Sequence, residues 1–247
     1  MENNDILRRA RDLAERCGRS GTVTQTTFLT PAEQYAVERA FSAGEERPLF
    51  SGGSGECERR CAFFLPYYLA AEDFDPAEYI RCVAFQSFFG APGHRDYLGA
   101  VLALGIGRER IGDIRIREDR AWIFCLPGVE PLLLGLDRAG RYTVRAAECP
   151  LTEVPEEEHR VESVTFTVQS LRLDAVTGGI FRMSRSAAAE QIRLGLVSLN
   201  YAVCDKADAP VREGDVISLR GKGKGQVREI GGRSKKDRLF ITAERRL

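Results

Sequence analysis

The spacing of apolar positions along the chain predicts a succession of short elements. Ile6, Leu7 and Leu13 interleave with Arg8, Arg9, Arg11 and Arg16, an amphipathic pattern that predicts an opening helix ending near Gly18. A polar, threonine-rich link follows at 20–30. Thr30-Pro31-Ala32-Glu33 then reads as a capping box with proline at the first helical position, which starts a helix running to about Phe41. Residues 50–68 combine a Gly/Ser loop, a charged segment and an aromatic strand.

From residue 76 the pattern alternates strand and helix. Tyr79 to Phe89 is rich in aromatic and β-branched residues and predicts a strand. His94 to Ile106 predicts a helix, and Ile111–Ile116 and Trp122–Leu126 a hairpin turning at 117–120. A short apolar helix over Pro127–Leu136 and a strand over Tyr142–Ala146 complete a β-α-β-β-α-β order, the split βαβ arrangement of ferredoxin-like and RRM domains. RRM domains stack single-stranded bases on strand aromatics, and Phe85, Phe88, Trp122 and Phe124 fall in suitable strands. The segment 120–127 does not match the RNP1 pattern, and aromatics in a two-layer fold are more often core than platform. Proline- and acid-rich residues 150–160 mark a linker, with a domain boundary near Pro155.

The densest signal lies between Leu171 and Gly225. Leu173, Val176 and Ile180 occupy one helical face, although Gly178 and Gly179 weaken that helix. Ser184 can cap a second helix that Gly195 ends, and strands at 197–200 and 216–219 follow, giving α-α-β-loop-β. With Arg172-Leu173-Asp174, Ser184-Arg185-Ser186, Ile192 to Gly195, Val197 to Asn200 and Gly214-Asp215, this stretch resembles the S4 RNA-binding domain. The resemblance covers about a quarter of the chain. It implies that the second helix and the loop after it lie on structured RNA, with Arg185, Gln191, Arg193 and Asn200 as contacts. Arg172, Ser184 and Ser186 in the same motif and Arg220, Lys222 and Lys224 in the basic loop complete the candidate RNA-binding set. A last hairpin, turning at Gly231-Gly232, would carry Arg233, Lys235 and Lys236 towards phosphates.

Charge sharpens that division. Formal net charge is zero, yet residues 170–247 hold 16 Lys+Arg against 9 Asp+Glu, leaving the first 169 residues with 20 against 27. The excess of positive charge therefore sits on the segment expected to meet phosphate, although a basic face could also pack on the acidic half. At 43% apolar and 29% charged, the chain belongs with soluble globular proteins. With no run of 18 apolar residues and a polar start, it is expected to be cytoplasmic, with no membrane partner and with seven reduced, scattered cysteines.

The strings at 27–34, 52–66 and 94–114 extend the resemblance to nearly the whole chain, and it resembles the YlmH-like family of S4-domain proteins. That likeness implies an α+β protein with a small N-terminal α-rich region (1–75), a central RRM-like RNA-binding domain (76–155) and a C-terminal S4 domain with a basic β tail (160–247). It also implies a non-catalytic binder of rRNA or tRNA at the large ribosomal subunit carrying a stalled peptidyl-tRNA, in ribosome-associated quality control. A basic cluster of Arg95, Arg108 and Arg110, with Arg59 and Arg60, forms a candidate second RNA surface, unless Asp96 and Asp113 neutralise it.

Other chemistries fit less well. The Gly-rich loop near residue 53 lacks the lysine and hydroxyl of a phosphate-binding loop. Cys57 and Cys61 lack a second ligand pair, so neither metal nor cofactor is expected, nor is a small-molecule substrate. Arg172 to Gly179 resembles the motif of pseudouridine synthases, whose aspartate is the nucleophile, but only 73 residues follow Asp174. The alternatives are therefore an RNA-modifying enzyme of that class, or a cell-division-linked protein adaptor whose RNA affinity would be weak and insensitive to salt.

Overall fold

Helix α1, Asn3–Ser20, buries Ile6, Ala10, Leu13, Ala14 and Cys17, spaced at three to four residues, and turns its arginines outward. It runs two residues beyond Gly18 before Gly21 takes φ +63°. The structure is a computed structural model that describes residues 3–41, 47–55, 57–156 and 161–246. It contains two compact units, Met1–Glu157 and Glu158–Leu247, each mixing helix and sheet. The linker residues 157–160 lie outside the described residues.

In the first unit, β1 (Thr24–Gln25) lies within the stretch expected to be a polar link. Helix α2 (Pro31–Ala40) opens on the expected capping box: the Thr30 amide donates to Glu33 Oε2 at 2.6 Å and the Glu33 amide to Thr30 Oγ1 at 3.4 Å. Strands β2 (Leu49–Ser51) and β3 (Cys61–Phe64) join β1 in a three-stranded sheet ordered β1-β3-β2. All four residues of β3 are buried, because alternate side chains serve two cores. Ala62 and Phe64 pack with α1 and α2, whereas Cys61 and Phe63 face Ile80, Cys82, Trp122 and Phe124.

The second sheet of this unit is built from β4 (Arg81–Ser87), β5 (Ile111–Arg117), β6 (Arg120–Cys125), β7 (Arg138–Ala139) and β8 (Tyr142–Glu148), with helices α3 (His94–Ala103) and α4 (Glu130–Leu134). Every pairing is antiparallel, in the order β5-β6-β4-β8-β7. Setting aside the short edge strand β7, this is the split βαβ arrangement expected from the sequence. Val83, Phe85, Ala121 and Ile123 meet Tyr97, Val101, Val129 and Leu133 of the helical layer. The other face, carrying Trp122 and Phe124, is covered by Phe28, Cys57, Cys61 and Phe63. The expected N-terminal region is thus neither purely helical nor separate: it supplies a sheet layer to the same unit as the central domain.

The second unit begins with β9 (Val161–Val168), followed by α5 (Leu173–Ile180), α6 (Arg185–Arg193), β10 (Val197–Leu199), β11 (Ala202–Val203), β12 (Val216–Leu219), β13 (Gly223–Arg233) and β14 (Leu239–Arg246). They form one antiparallel sheet ordered β11-β10-β12-β13-β14-β9. Helix α5 lies in its core through Leu173, Val176 and Ile180. The two glycines expected to weaken α5 let it approach closely instead. A β-carbon on Gly179 would overlap the Phe166 ring, and one on Gly178 would stand 3.0 Å from the Met183 carbonyl. Gly231-Gly232 lies inside β13, at an irregularity in its pairing, and the chain turns instead at Ser234–Arg238. The expected Gly-Gly turn is therefore a bulge in a longer strand.

Candidate RNA-binding surface

The α5–α6 pair begins with a buried charge. Asp174, in the first turn of α5, has a side chain only 5% exposed and is gripped from two sides. Arg172 donates through Nε at 3.3 Å and Nη2 at 3.0 Å, and Arg185 Nε lies 3.1 Å from Oδ2. Burial acts to raise the Asp174 pKa, but the hydrogen bonds and charges of Arg172 and Arg185 outweigh it and hold the carboxyl below its ordinary value. The aspartate thus anchors the start of α5 to the start of α6. Both arginine side chains keep part of their surface open, 37% for Arg172 and 56% for Arg185, which leaves room for a phosphate.

Ser184 caps α6, its hydroxyl accepting from the Ala187 amide at 3.2 Å, and Ser186 stands 3.0 Å from the same oxygen. At the other end of α6, Arg193 is 74% exposed and only loosely paired with Glu190 at 3.5 Å. Gln191 is half-buried. The Arg220 amide donates to the Leu196 carbonyl at 3.0 Å, which brings the β12–β13 turn beside the segment leaving α6. That turn exposes Arg220 and Lys222 around Gly221, where φ is +81°. Arg193, Arg220 and Lys222 therefore gather near one end of α6, with Arg185 at the other. Lys224 is half-buried within β13, in register with Ser218 and Arg246.

Asn200 is placed differently. Leu199 pairs with Ala202 across a two-residue turn in which Asn200 and Tyr201 both have positive φ, +49° and +67°. This is the type I′ geometry that suits a right-twisted hairpin and favours asparagine. Its Nδ2 donates to Asp215 Oδ1 at 2.8 Å and its Oδ1 accepts from the Val216 amide at 2.9 Å. The side chain expected to meet RNA thus ties the β10–β11 turn to β12. In the tail, Arg233 pairs with Asp237 at 2.7 Å, while Lys235 and Lys236 are exposed at the turn.

The second expected surface divides. Arg59 donates to the carbonyls of Ile111, Phe28 and Arg108 at 3.2, 2.9 and 3.4 Å, and Arg108 to those of Ile111 and Gly112 at 2.6 and 3.0 Å. Burial lowers both pKa values, that of Arg108 to about 10 with Arg59 beside it. These two are struts between chain segments. Arg60 donates to Gln34 Oε1 at 2.8 Å and lies over the Phe50 ring. Arg95 and Arg110 are exposed, Arg95 in the first turn of α3 and Arg110 at the end of the 3-10 turn that leads into β5. Asp96 accepts from the Gly93 amide and Asp113 from those of Glu58 and Arg59, and the Asp113 charge partly offsets the effect of burial on Arg59 and Arg108.

The strand aromatics expected as stacking platforms are mostly core. Phe85 is 2% exposed on the helical side, and Trp122 and Phe124 lie under the N-terminal layer. Arg115, which the sequence did not single out, is buried there too, donating to Pro155 and Ser54 carbonyls and to Cys57 Sγ, over the Phe124 ring. Burial pushes the Cys57 thiol up. Among the described residues no group of three His, Cys, Asp or Glu side chains could hold a metal ion, and no helix is long and apolar enough to cross a membrane.

Residues 71–153, which include the five-stranded sheet, match the family model described as "Putative RNA-binding domain in YlmH". The chain is 32% identical over 221 residues to the "Ribosome-associated protein quality control protein P2" of Bacillus subtilis (strain 168), covering 89% of this chain and 86% of that protein. Its fold is also like that of the "Cell division protein ylmH from Streptococcus pneumoniae", with a TM-score of 0.51 at 21% identity, over 63% of this chain and 96% of that one. On the strength of a relative this similar over nearly its whole length, the chain belongs to the YlmH family.

Proposed function

We propose that this RNA-binding protein is a non-catalytic factor that holds structured rRNA or tRNA at the large ribosomal subunit carrying a stalled peptidyl-tRNA. The observation that carries the reading is the 32% identity, across 89% of the chain, to a protein named for ribosome-associated quality control. The α5–α6 pair supports it with exposed Arg185, Arg193, Arg220 and Lys222 around a helix whose start is fixed by Ser184 and Asp174. Cations so arranged bind backbone phosphate and position a module on RNA without reading sequence.

A pseudouridine synthase would need Asp174 free to attack a base. Its carboxylate is buried and bound by two arginines, an arrangement that suits a fold anchor. Co-sedimentation of the full chain with purified 30S, 50S and 70S particles tests the proposal. We expect recovery with 50S, enriched when peptidyl-tRNA is present and reduced by salt. Recovery with 30S alone, or with no particle at low salt, would overturn it.

A further inference from the structure

The central domain matches an RNA-binding family, yet the sheet face on which an RRM would stack bases is sealed by the chain itself. Trp122 is 7% exposed and Phe124 fully covered. Among the described residues of this domain, the aromatic side chains that are exposed are Phe88 and Phe89, at 55% and 83%, where the chain leaves β4. One exposed apolar side chain needs no explanation. Two consecutive exposed phenylalanines, leading into a loop that is held against the β7–β8 turn, call for one.

The loop is held from both sides. Gly90, at φ +92°, runs so close over Tyr142 that a β-carbon there would stand 2.6 Å from the ring. The Asp96 carboxylate accepts from the Gly93 amide at 2.8 Å and also abuts Gly140, locking residues 90–96 against the β7–β8 turn. Arg141, on that turn, lies over the Tyr142 ring at 5.2 Å and donates to its hydroxyl at 3.1 Å. Arg95 is exposed in the first turn of α3. Among nearby carboxylates, Asp96 is engaged by the loop and Asp119 accepts from Gln86, leaving Glu118 exposed on the adjoining hairpin turn. A backbone anchored in this way just after Phe89 reduces the freedom the loop would lose on binding.

Resting on the RNA-binding reading above, we propose that Phe88 and Phe89 are the base-stacking platform of the central domain. They take one or two unpaired nucleotides of RNA, while Arg95 and Arg141 hold the neighbouring phosphates. Every base presents a π-face, so the platform selects unpaired over paired RNA without selecting sequence.

The test measures affinity of the full chain for a mixed-sequence single-stranded RNA and for a blunt duplex with the same number of phosphates. We expect the double variant Phe88→Ala/Phe89→Ala to bind the single strand about tenfold more weakly, the loss of one base stack. Duplex affinity and the salt slope should not change, since no phosphate contact is removed. Phe88→Tyr/Phe89→Trp should retain wild-type binding, and both variants should melt at the wild-type temperature. Unchanged single-strand affinity, or an equal loss on both RNAs, would overturn the platform. If the wild-type chain binds neither RNA, the RNA-binding reading itself fails.

Discussion

Arg185, in the first turn of α6, reaches Asp174, in the first turn of α5, with Nε 3.1 Å from Oδ2. This ion pair, with Arg172 closing from the other side, fixes the helix pair that carries most of the candidate RNA contacts. Asp174→Asn should lower stability by about 1–2 kcal/mol, less than a fully buried pair because both arginine side chains are part-exposed. Denaturant unfolding would measure it.

The same pair predicts an acid limb. The folded-state pKa of Asp174 is lowered, so its contribution is fully present above the unfolded value and is lost as pH falls through the folded one. Below about pH 4 the wild type should therefore lose stability faster than Asp174→Asn, bringing the two together. Parallel stability curves from pH 6 down to pH 3 would contradict this.

Gly179→Ala sets two effects against each other. Alanine favours a helix by about 1 kcal/mol over glycine. The new methyl would overlap the Phe166 ring, and such overpacking costs about 1–3 kcal/mol. We expect net destabilisation, relieved in the double variant Gly179→Ala/Phe166→Leu because the two sites touch. Melting temperatures of the three variants decide it.

Arginines of similar appearance in the sequence should separate by assay. Replacing Arg185, Arg193, Arg220 and Lys222 with alanine should flatten the salt dependence of RNA binding by about one unit per lost phosphate contact, with melting little changed apart from the share of Arg185. Arg59→Ala should do the reverse, since its guanidinium group serves three carbonyls. A salt slope that falls in Arg59→Ala at unchanged melting temperature would show that its role is misassigned.

Trp122 is the sole tryptophan and lies between the two sheet layers of the first unit. Removing residues 1–70 should uncover Ile80, Cys82, Trp122 and Phe124. Emission should shift to the red, acrylamide quenching should rise, and the fragment should bind hydrophobic dyes. A fragment with native, blue-shifted emission would show that the RRM-like sheet stands without its N-terminal layer.

These cases mark what the sequence could disclose. The α5–α6 pair was legible because Ser184 and Gly195 act within a few residues of their own positions. Strands β4, β5 and β6 were legible too, but Trp122 and Phe124 look the same whether protein or RNA covers them. What covers them is β3, whose four apolar residues show no alternation because both faces are buried. Arg59 and Arg60 are neighbours in sequence, yet one braces three carbonyls and the other meets Gln34 and Phe50, a distinction set by residues distant in the chain. Strand β9 has no counterpart among the elements expected from the sequence, although Val164 and Val168 are core.

That strand bears on how the protein is made. Strand β9 is the first element of its unit and pairs along its whole length with β14, the last, from Val161↔Arg246 to Val168↔Leu239. As the chain emerges from a ribosome, β9 must wait for β14, and Ile241 and Ala243 are missing from the core around α5 until then. The first unit can mature while synthesis continues, whereas the core that backs the proposed S4 grip closes last, when β14 joins β9.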